Sequence, residues 1–409
     1  MKQASMFKLI RERLERLSGA MSAKACYFDR PLVLLHSDDW GRGGIPDRPG
    51  YNRLKEDGVE LGGAPYDFYS LETAEDVYTV SRFLLSHRDS IGRSPSIIAN
   101  FVVSNVDFDR TIEADFRKLH LMPLAEGLPS HWLRPGLRDS YRRAVAEGAF
   151  CPGLHGATHF CWRAVEELLR SAEQRGQELR RFYKLRTPYL YHQMPWIGFE
   201  YWDNRHLREP RFLDAEAQSA LITGAVAHFE NLFGFRPKSA CAPGYRANED
   251  TQRAWASHGI EMAHNKSKKL VPPYVDLAGL LHISRNVDFE PALDSSKNHV
   301  EEALQQCEAC FSAGVPAVIS IHAINFHSSL RNFRDATIDR LDSFLTRLEQ
   351  RHGELLYLSD CDLANLVKTG CYGHNGTELS VRPKQASFVS LGRPGIFRRR
   401  FASVQRQVG

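Results

Sequence analysis

Pro31-Leu-Val-Leu-Leu-His-Ser-Asp-Asp-Trp-Gly41 is the stretch whose reading decides the fold. Its unbroken apolar run reads as a buried parallel strand, and two adjacent carboxylates stand where that strand should end. Asp is depleted in strands and rarely buried unpaired, so the pair calls for a metal, a cation or a reaction. In α/β folds the C-terminal strand ends are also where ligands bind. The plainer alternative is that Asp38 or Asp39 caps the next turn, which Gly41, Gly43 and Gly44 favour in any case.

Outward from this strand the chain alternates. A Gly/Pro-rich loop over 41–65 leads to a helical pattern near Leu71–His87, and Ser96–Val103 reads as the second strand. A helix near Arg138–Glu147, a strand at Phe150–Leu154 and a helix from Cys161 to about Arg181 follow. Residues 182–212 break the rhythm with Tyr183, Tyr189, Tyr191, Trp196, Phe199, Tyr201 and Trp202 among Pro188, Pro195 and Pro210, as an insertion or lid would. Those aromatics could wall a sugar site, but packing the insertion onto the body is the commoner use. Alternation resumes with helix Asp214–Phe233, strand Ser239–Ala242 and helix Glu249–His258. Strands near Ile260–Ala263 and Leu280–Val287 precede helix Val300–Ser312. The most apolar strand, Val315–Ile321, then leads to helix Asp335–Arg351 and strand Leu355–Leu358. Seven or eight β/α units without a compositional break predict an α/β fold, a single distorted (β/α) barrel over 30–371.

Both ends differ from this body. Phe7, Leu9, Ile10, Leu14 and Leu17 fall at helical spacing among Arg and Lys, so 1–29 is expected to carry a short amphipathic helix rather than a signal peptide. Residues 372–409 hold seven Lys/Arg against one acid, Glu378, on a body that is slightly acidic. That tail lacks periodicity and reads as disordered or loosely docked. Phe397-Arg-Arg-Arg-Phe401 could lean weakly on an anionic membrane. Nothing is long and apolar enough to span a bilayer. Eight scattered cysteines without a scaffold pattern favour a reducing cytoplasm, and the lone Cys307–Cys310 pair reads as structural.

Three further clusters fall at predicted strand ends. In Leu154-His-Gly-Ala-Thr-His-Phe160, the i, i+4 spacing of His155 and His159 lets both imidazoles share a metal. Spacing alone is weak among 17 histidines; the position at a strand end strengthens it. Ile319-Ser-Ile-His322 ends the most apolar strand on a titratable group, with His327 shortly after. Cys241-Ala-Pro-Gly-Tyr-Arg246 is a strand-to-turn junction whose backbone N–H groups could face a developing oxyanion.

Ser37-Asp-Asp-Trp-Gly41, His155-Gly-Ala-Thr-His159, Ala242-Pro-Gly-Tyr245 and Ile319-Ser-Ile-His322 come in the order and approximate spacing of the motifs of polysaccharide deacetylases, the NodB-homology carbohydrate esterases. The chain resembles that family over roughly 30–360. The resemblance implies metal-dependent hydrolysis of an N-acyl or O-acyl group on a sugar. It implies Asp39, His155 and His159 as ligands of one divalent metal, zinc first, with other transition metals as alternatives. Asp38 would be the general base, His322 the acid, and the Tyr245 backbone N–H an oxyanion donor. Trp40, Tyr245 and His327 are expected to touch substrate.

The chain departs from the family in three places. Ala242 stands where an Arg usually orients the base, leaving Arg246 as a substitute. Gly156 stands where Ser or Thr is usual. The acid that should tune His322 is to be found at Asp288 or Glu290.

The competing readings are a metal-free C–N hydrolase of the same superfamily, a glycoside hydrolase and a non-catalytic sugar-binding relative. The first should not need all three ligands, and the second needs two carboxylates flanking a bond, whereas Asp38 and Asp39 should face opposite sides of a strand. The third has no use for both Asp38 and His322. The missing P-loop and dinucleotide fingerprints count against nucleotide binding, and no nucleic-acid partner is expected. A cytoplasmic sugar, or a nucleotide- or lipid-linked one at the inner membrane face, is the expected substrate.

Overall fold

The apolar run becomes a nine-residue strand, Leu32–Trp40, buried along its whole length. It continues through both aspartates to Trp40, beyond the expected end. The computed structural model describes residues 24–386 apart from 207, 210, 268, 277, 375, 376, 382 and 383. The expected N-terminal helix over Met1–Met21 and the Phe397–Phe401 cluster lie outside these residues.

The fold is mixed α/β around one twelve-stranded sheet. Its strands in chain order are β1 Lys24–Tyr27, β2 Leu32–Trp40, β3 Ile97–Phe101, β4 Phe150–Leu154, β5 Ser239–Cys241, β6 Met262–Lys266, β7 Tyr274–Val275, β8 Leu281–Arg285, β9 Val287–Asp288, β10 Ala317–His322, β11 Leu356–Tyr357 and β12 Lys384–Ala386. Hydrogen-bonded neighbours run β9-β10-β2-β3-β4-β5-β6-β8-β7-β1-β12, with β11 also on β2. From β9 to β8 every pairing is parallel; β7, β1 and β12 add antiparallel edges. Parallel strands need crossovers, and the amphipathic helices between them supply these. Only Asn286 separates β8 from β9, so one run of chain pairs with β6 at its start and β10 at its end.

Local signals explain most element boundaries. Thr73 and Asp76 form a reciprocal capping box that starts helix Ala74–Leu84, and Ser359 with Asp362 does the same for helix Asp360–Thr369. Asp214 caps Ala215–Phe233 through the Ala217 N–H, and Gly234 closes that helix in the left-handed region. The expected single helix from Cys161 to Arg181 is two, Trp162–Arg170 and Gln174–Lys184. The Gly/Pro-rich loop also hides a helix, Arg48–Glu56, capped by Asp47 with Pro in its first turn.

At the other extremities, Lys24–Tyr27 is a strand, not part of an N-terminal helix, and the start of the tail is ordered as well. Cys371–His374 forms a hairpin with Thr377–Ser380, and Lys384–Ala386 pairs with Lys24–Tyr27.

Candidate metal and acid–base site

Parallel register builds the site. His322 at the end of β10 lies opposite Asp38 near the end of β2, and β4, β5 and β8 bring His155, Cys241 and Arg285 to the same edge. The strict alternation expected of Asp38 and Asp39 does not hold. Asp39 has φ +75°, and the β2–β3 register shifts between Ser37 and Trp40. A left-handed Asp costs on the order of 1–2 kcal/mol, and here it turns both carboxylates into one site.

Asp38 is fully enclosed and clamped. Arg285 donates to its two oxygens at 2.5 and 2.7 Å, and Asn100 Nδ2 donates to Oδ1 at 2.9 Å. Burial would raise this carboxyl, but the Arg285 guanidinium holds it well below the usual carboxylate range. Arg285 is therefore the residue that orients Asp38. Arg246, expected in that role, instead lies 5.0 Å from the Trp202 ring.

Asp39 has two different oxygens. Oδ2 accepts from Arg42 at 2.9 Å. Oδ1 is buried with no hydrogen-bond partner among the described residues, 3.2 Å from His159 Nε2 and 3.5 Å from His155 Nε2. Burial, followed by Arg42, holds the His159 imidazole well below its ordinary pKa, in its neutral form. His155 Nδ1 donates to the Cys241 carbonyl at 2.8 Å, so the neutral imidazole has its lone pair on Nε2, facing Asp39. His159 Nδ1 faces the Tyr189 hydroxyl at 3.0 Å; with its proton there, both Nε2 atoms turn lone pairs to the orphaned carboxylate oxygen, and the three repel one another unless a cation lies between them. Ligand atoms 2.0–2.2 Å from one tetrahedral ion stand roughly 3.4 Å apart, and both separations fit that spacing. The residues present thus fit one divalent metal.

Asp38, His155 and Cys241 also cluster at ligand distance. Asp38 is already engaged by Arg285, however, and burial pushes the Cys241 thiol up, so it stays protonated.

The aromatic insertion supports this site from behind. Glu200, fully buried, accepts from the Ala157 N–H at 2.7 Å and so anchors the loop between the two histidines. Gly156 has φ +86°, and a Cβ there would fall 1.8 Å from Glu200 Oε2, which explains a glycine where Ser or Thr is usual. Burial raises the Glu200 carboxyl to about 7. Tyr189 of the same insertion places its hydroxyl 3.0 Å from His159 Nδ1.

His322 Nδ1 lies 2.5 Å from Glu290 Oε1, and Asn325 donates to the other Glu290 oxygen at 2.7 Å. Of the two acids expected to tune His322, Glu290 is the one in place; Asp288 is exposed and paired with Lys266 at 2.8 Å. Burial would lower His322, but Glu290 outweighs it and raises the imidazole to about 9, a cation at neutral pH. A reaction that needs this cation slows as pH rises through that value. Glu290→Gln removes the raising charge, so the alkaline limb of the rate profile is expected to move to lower pH; an unmoved limb would show that His322 is not the acid.

Three expected substrate or oxyanion roles are not supported. Trp40 is 0% exposed, packs on Phe101, Phe150 and Phe326, and donates to Ser37 Oγ. Strand β2 runs one residue further than read, which carries that indole into the core. His327 is buried against Tyr69 and 3.4 Å from Glu72, whose other oxygen accepts from the Gly41 N–H. The Tyr245 N–H is taken by the Ala242 carbonyl at 2.8 Å, inside the tight Pro243–Tyr245 turn, so it is no free oxyanion donor. The Tyr245 hydroxyl accepts from Arg285 at 3.0 Å, so Tyr245 remains part of the site through its side chain.

No family model matches the chain, and no curated protein is a match. Among solved structures it is similar to one described as a polysaccharide deacetylase from Mycobacterium smegmatis, at 12% identity and a TM-score of 0.43, covering 82% of this chain and 90% of that one. It is similar to a peptidoglycan deacetylase from Bacillus subtilis at 12% identity and a TM-score of 0.34, covering 83% and 92%. It is also similar to a 4-alpha-glucanotransferase from Thermococcus litoralis at 11% identity and 0.44, covering 88% of this chain and 42% of that one. These distant likenesses mix different chemistries, and the functional reading rests on the site's own residues.

Proposed function

We propose that this chain is a metal-dependent hydrolase of the NodB-homology type that removes an acyl group from a sugar or glycoconjugate. One observation carries the reading: an anionic Asp38 and a cationic His322 stand in register on adjacent strands, beside a donor set with a cation-sized gap. Acid–base hydrolysis needs one group ready to take a proton and another ready to give one, and the surroundings of these two push them that way.

A divalent metal held by Asp39, His155 and His159 would polarise the acyl group and make water acidic. Asp38 takes the proton of the attacking water; Arg285 and Asn100 fill three of the four lone-pair sites on its oxygens, and the fourth faces the weak Cys241 thiol donor at 3.6 Å, the contact that water displaces. His322, held through Nδ1 by Glu290, keeps Nε2 to protonate the departing nitrogen or oxygen as its bond to the acyl carbon breaks. The products are the free amine or alcohol and the carboxylic acid. We read the run Leu281–Asp288 as closing a single distorted barrel around this site.

Glycoside cleavage would need a second uncommitted carboxylate, and the nearby Glu290 and Glu200 are committed to His322 and the metal loop. A metal-free mechanism leaves Asp39 Oδ1 with no partner. The test is incubation with N-acetylglucosamine oligomers and with a nucleotide-linked N-acetylglucosamine, scoring acetate and new amine. Acetate release that stops on chelation and returns with zinc is expected. Cleavage between sugars, or turnover indifferent to chelation, would overturn the reading.

A further inference from the structure

Below the site, inside the sheet, lies a second polar cluster that the proposed chemistry does not use. His36 on β2, His264 on β6 and Asp360 at the start of its helix are buried together among apolar side chains. Buried charge of this kind needs a reason.

The residue types would suit a cation, but the distances are those of hydrogen bonds. His264 Nε2 is 2.6 Å from Asp360 Oδ2, and His36 Nε2 is 3.0 Å from Asp360 Oδ1. The first is far closer than the roughly 3.4 Å between two atoms on one tetrahedral ion. It suits a charge-assisted N–H···O bond.

The donors and acceptors then follow without choice. An ionised Asp360 can only accept, so both imidazoles carry a proton on Nε2, and the neutral His264 ring then has its lone pair on Nδ1. That lone pair is 3.2 Å from Asn100 Nδ2, and the same amide nitrogen is 2.9 Å from Asp38 Oδ1. With two N–H bonds, Asn100 Nδ2 serves both. Turned over, the amide would aim its oxygen at a carboxylate and a lone pair at once. Space for the amide is reserved by Gly153, paired with Asn100 across β3–β4, where a Cβ would come within 2.3 Å of Asn100 Oδ1.

We propose that Asp360, through His264, fixes the Asn100 amide with its N–H toward Asp38, so that these three are positioning residues for the base. The proposal rests on Asp38 being that base. Arg285 grips the carboxylate from one side, and Asn100 holds it from beneath.

Two measurements test it. NMR of the intact protein labelled with 15N-histidine, with His264 assigned by its loss in His264→Leu, should show the proton on Nε2 and a bare Nδ1. A proton on Nδ1, on both nitrogens, or a metal-bound nitrogen would overturn the chain of bonds whatever the enzyme does. For function, a double-mutant cycle compares acetate release from N-acetylglucosamine oligomers by Asn100→Leu, His264→Leu and the double variant. Each single variant should lower kcat about tenfold with KM and metal content unchanged, as loss of one hydrogen bond to a charged group implies. Because His264 acts only through Asn100, the double variant should be no worse than Asn100→Leu. Additive losses, or full kcat in His264→Leu, would overturn the positioning role. If the parent protein releases no acetate, the deacylase reading has failed, while the imidazole spectrum still decides the proposal.

Discussion

Asp38→Asn is expected to keep its metal and lose turnover by roughly 10²–10⁴-fold, the usual cost of removing a positioned base. The amide is nearly isosteric and Asp38 is not one of the three ligands, so the change separates the base from the metal site. It cannot take a proton from water, and its NH2 faces the Arg285 guanidinium whichever oxygen it replaces, donor against donor. Some loss of stability is therefore expected as well, since Arg285 is 1% exposed and would lose its counter-charge. Metal content measured beside kcat makes the test specific. Turnover within a few fold of the parent would place the base elsewhere.

Arg285→Leu should be the most damaging single change to folding. It leaves Asp38 ionised and buried without its bidentate partner, and breaking such a pair by removing one side costs about 3–5 kcal/mol. The penalty comes from the stranded charge rather than from lost packing, which gives a check on the cause. Adding Asp38→Asn in the same chain removes that charge, so the double variant should melt higher than Arg285→Leu while remaining inactive. Equal or lower melting of the double variant would mean that the guanidinium acts mainly by filling space. Arg246→Leu should change neither activity nor stability to a similar degree, because it stacks on Trp202 away from Asp38.

The contrast between Arg285 and Arg246 shows what the sequence could and could not reveal. Strand β2, the His155–His159 pair and His322 were legible because apolar runs ending in polar groups are a local signal, and the parallel order of the strands brings those ends together. Arg285 stands 247 residues from Asp38, and only strand pairing places it there. A hint existed, since an Arg at the end of a buried strand is as anomalous as the aspartates were. Glu200 carried a similar hint, an acid among aromatics in an insertion read mainly for its rings.

The turn at Asp39 was not legible, because nothing in Asp-Asp-Trp announces a positive φ, and strict alternation therefore misplaced the carboxylates. Trp40 lies in the core because the strand runs further than its apolar stretch, which no local signal announces. Helix Arg48–Glu56 could have been found, as Asp followed by Pro in a first turn is a start signal that the surrounding glycines obscured.

The central claim is that Asp39, His155 and His159 hold one metal, and elemental analysis of the purified protein tests it most directly. One equivalent of a divalent metal per chain is expected in the parent, with little or none in His155→Ala and in His159→Ala, both still folded by circular dichroism. Stoichiometric metal in both variants would contradict it.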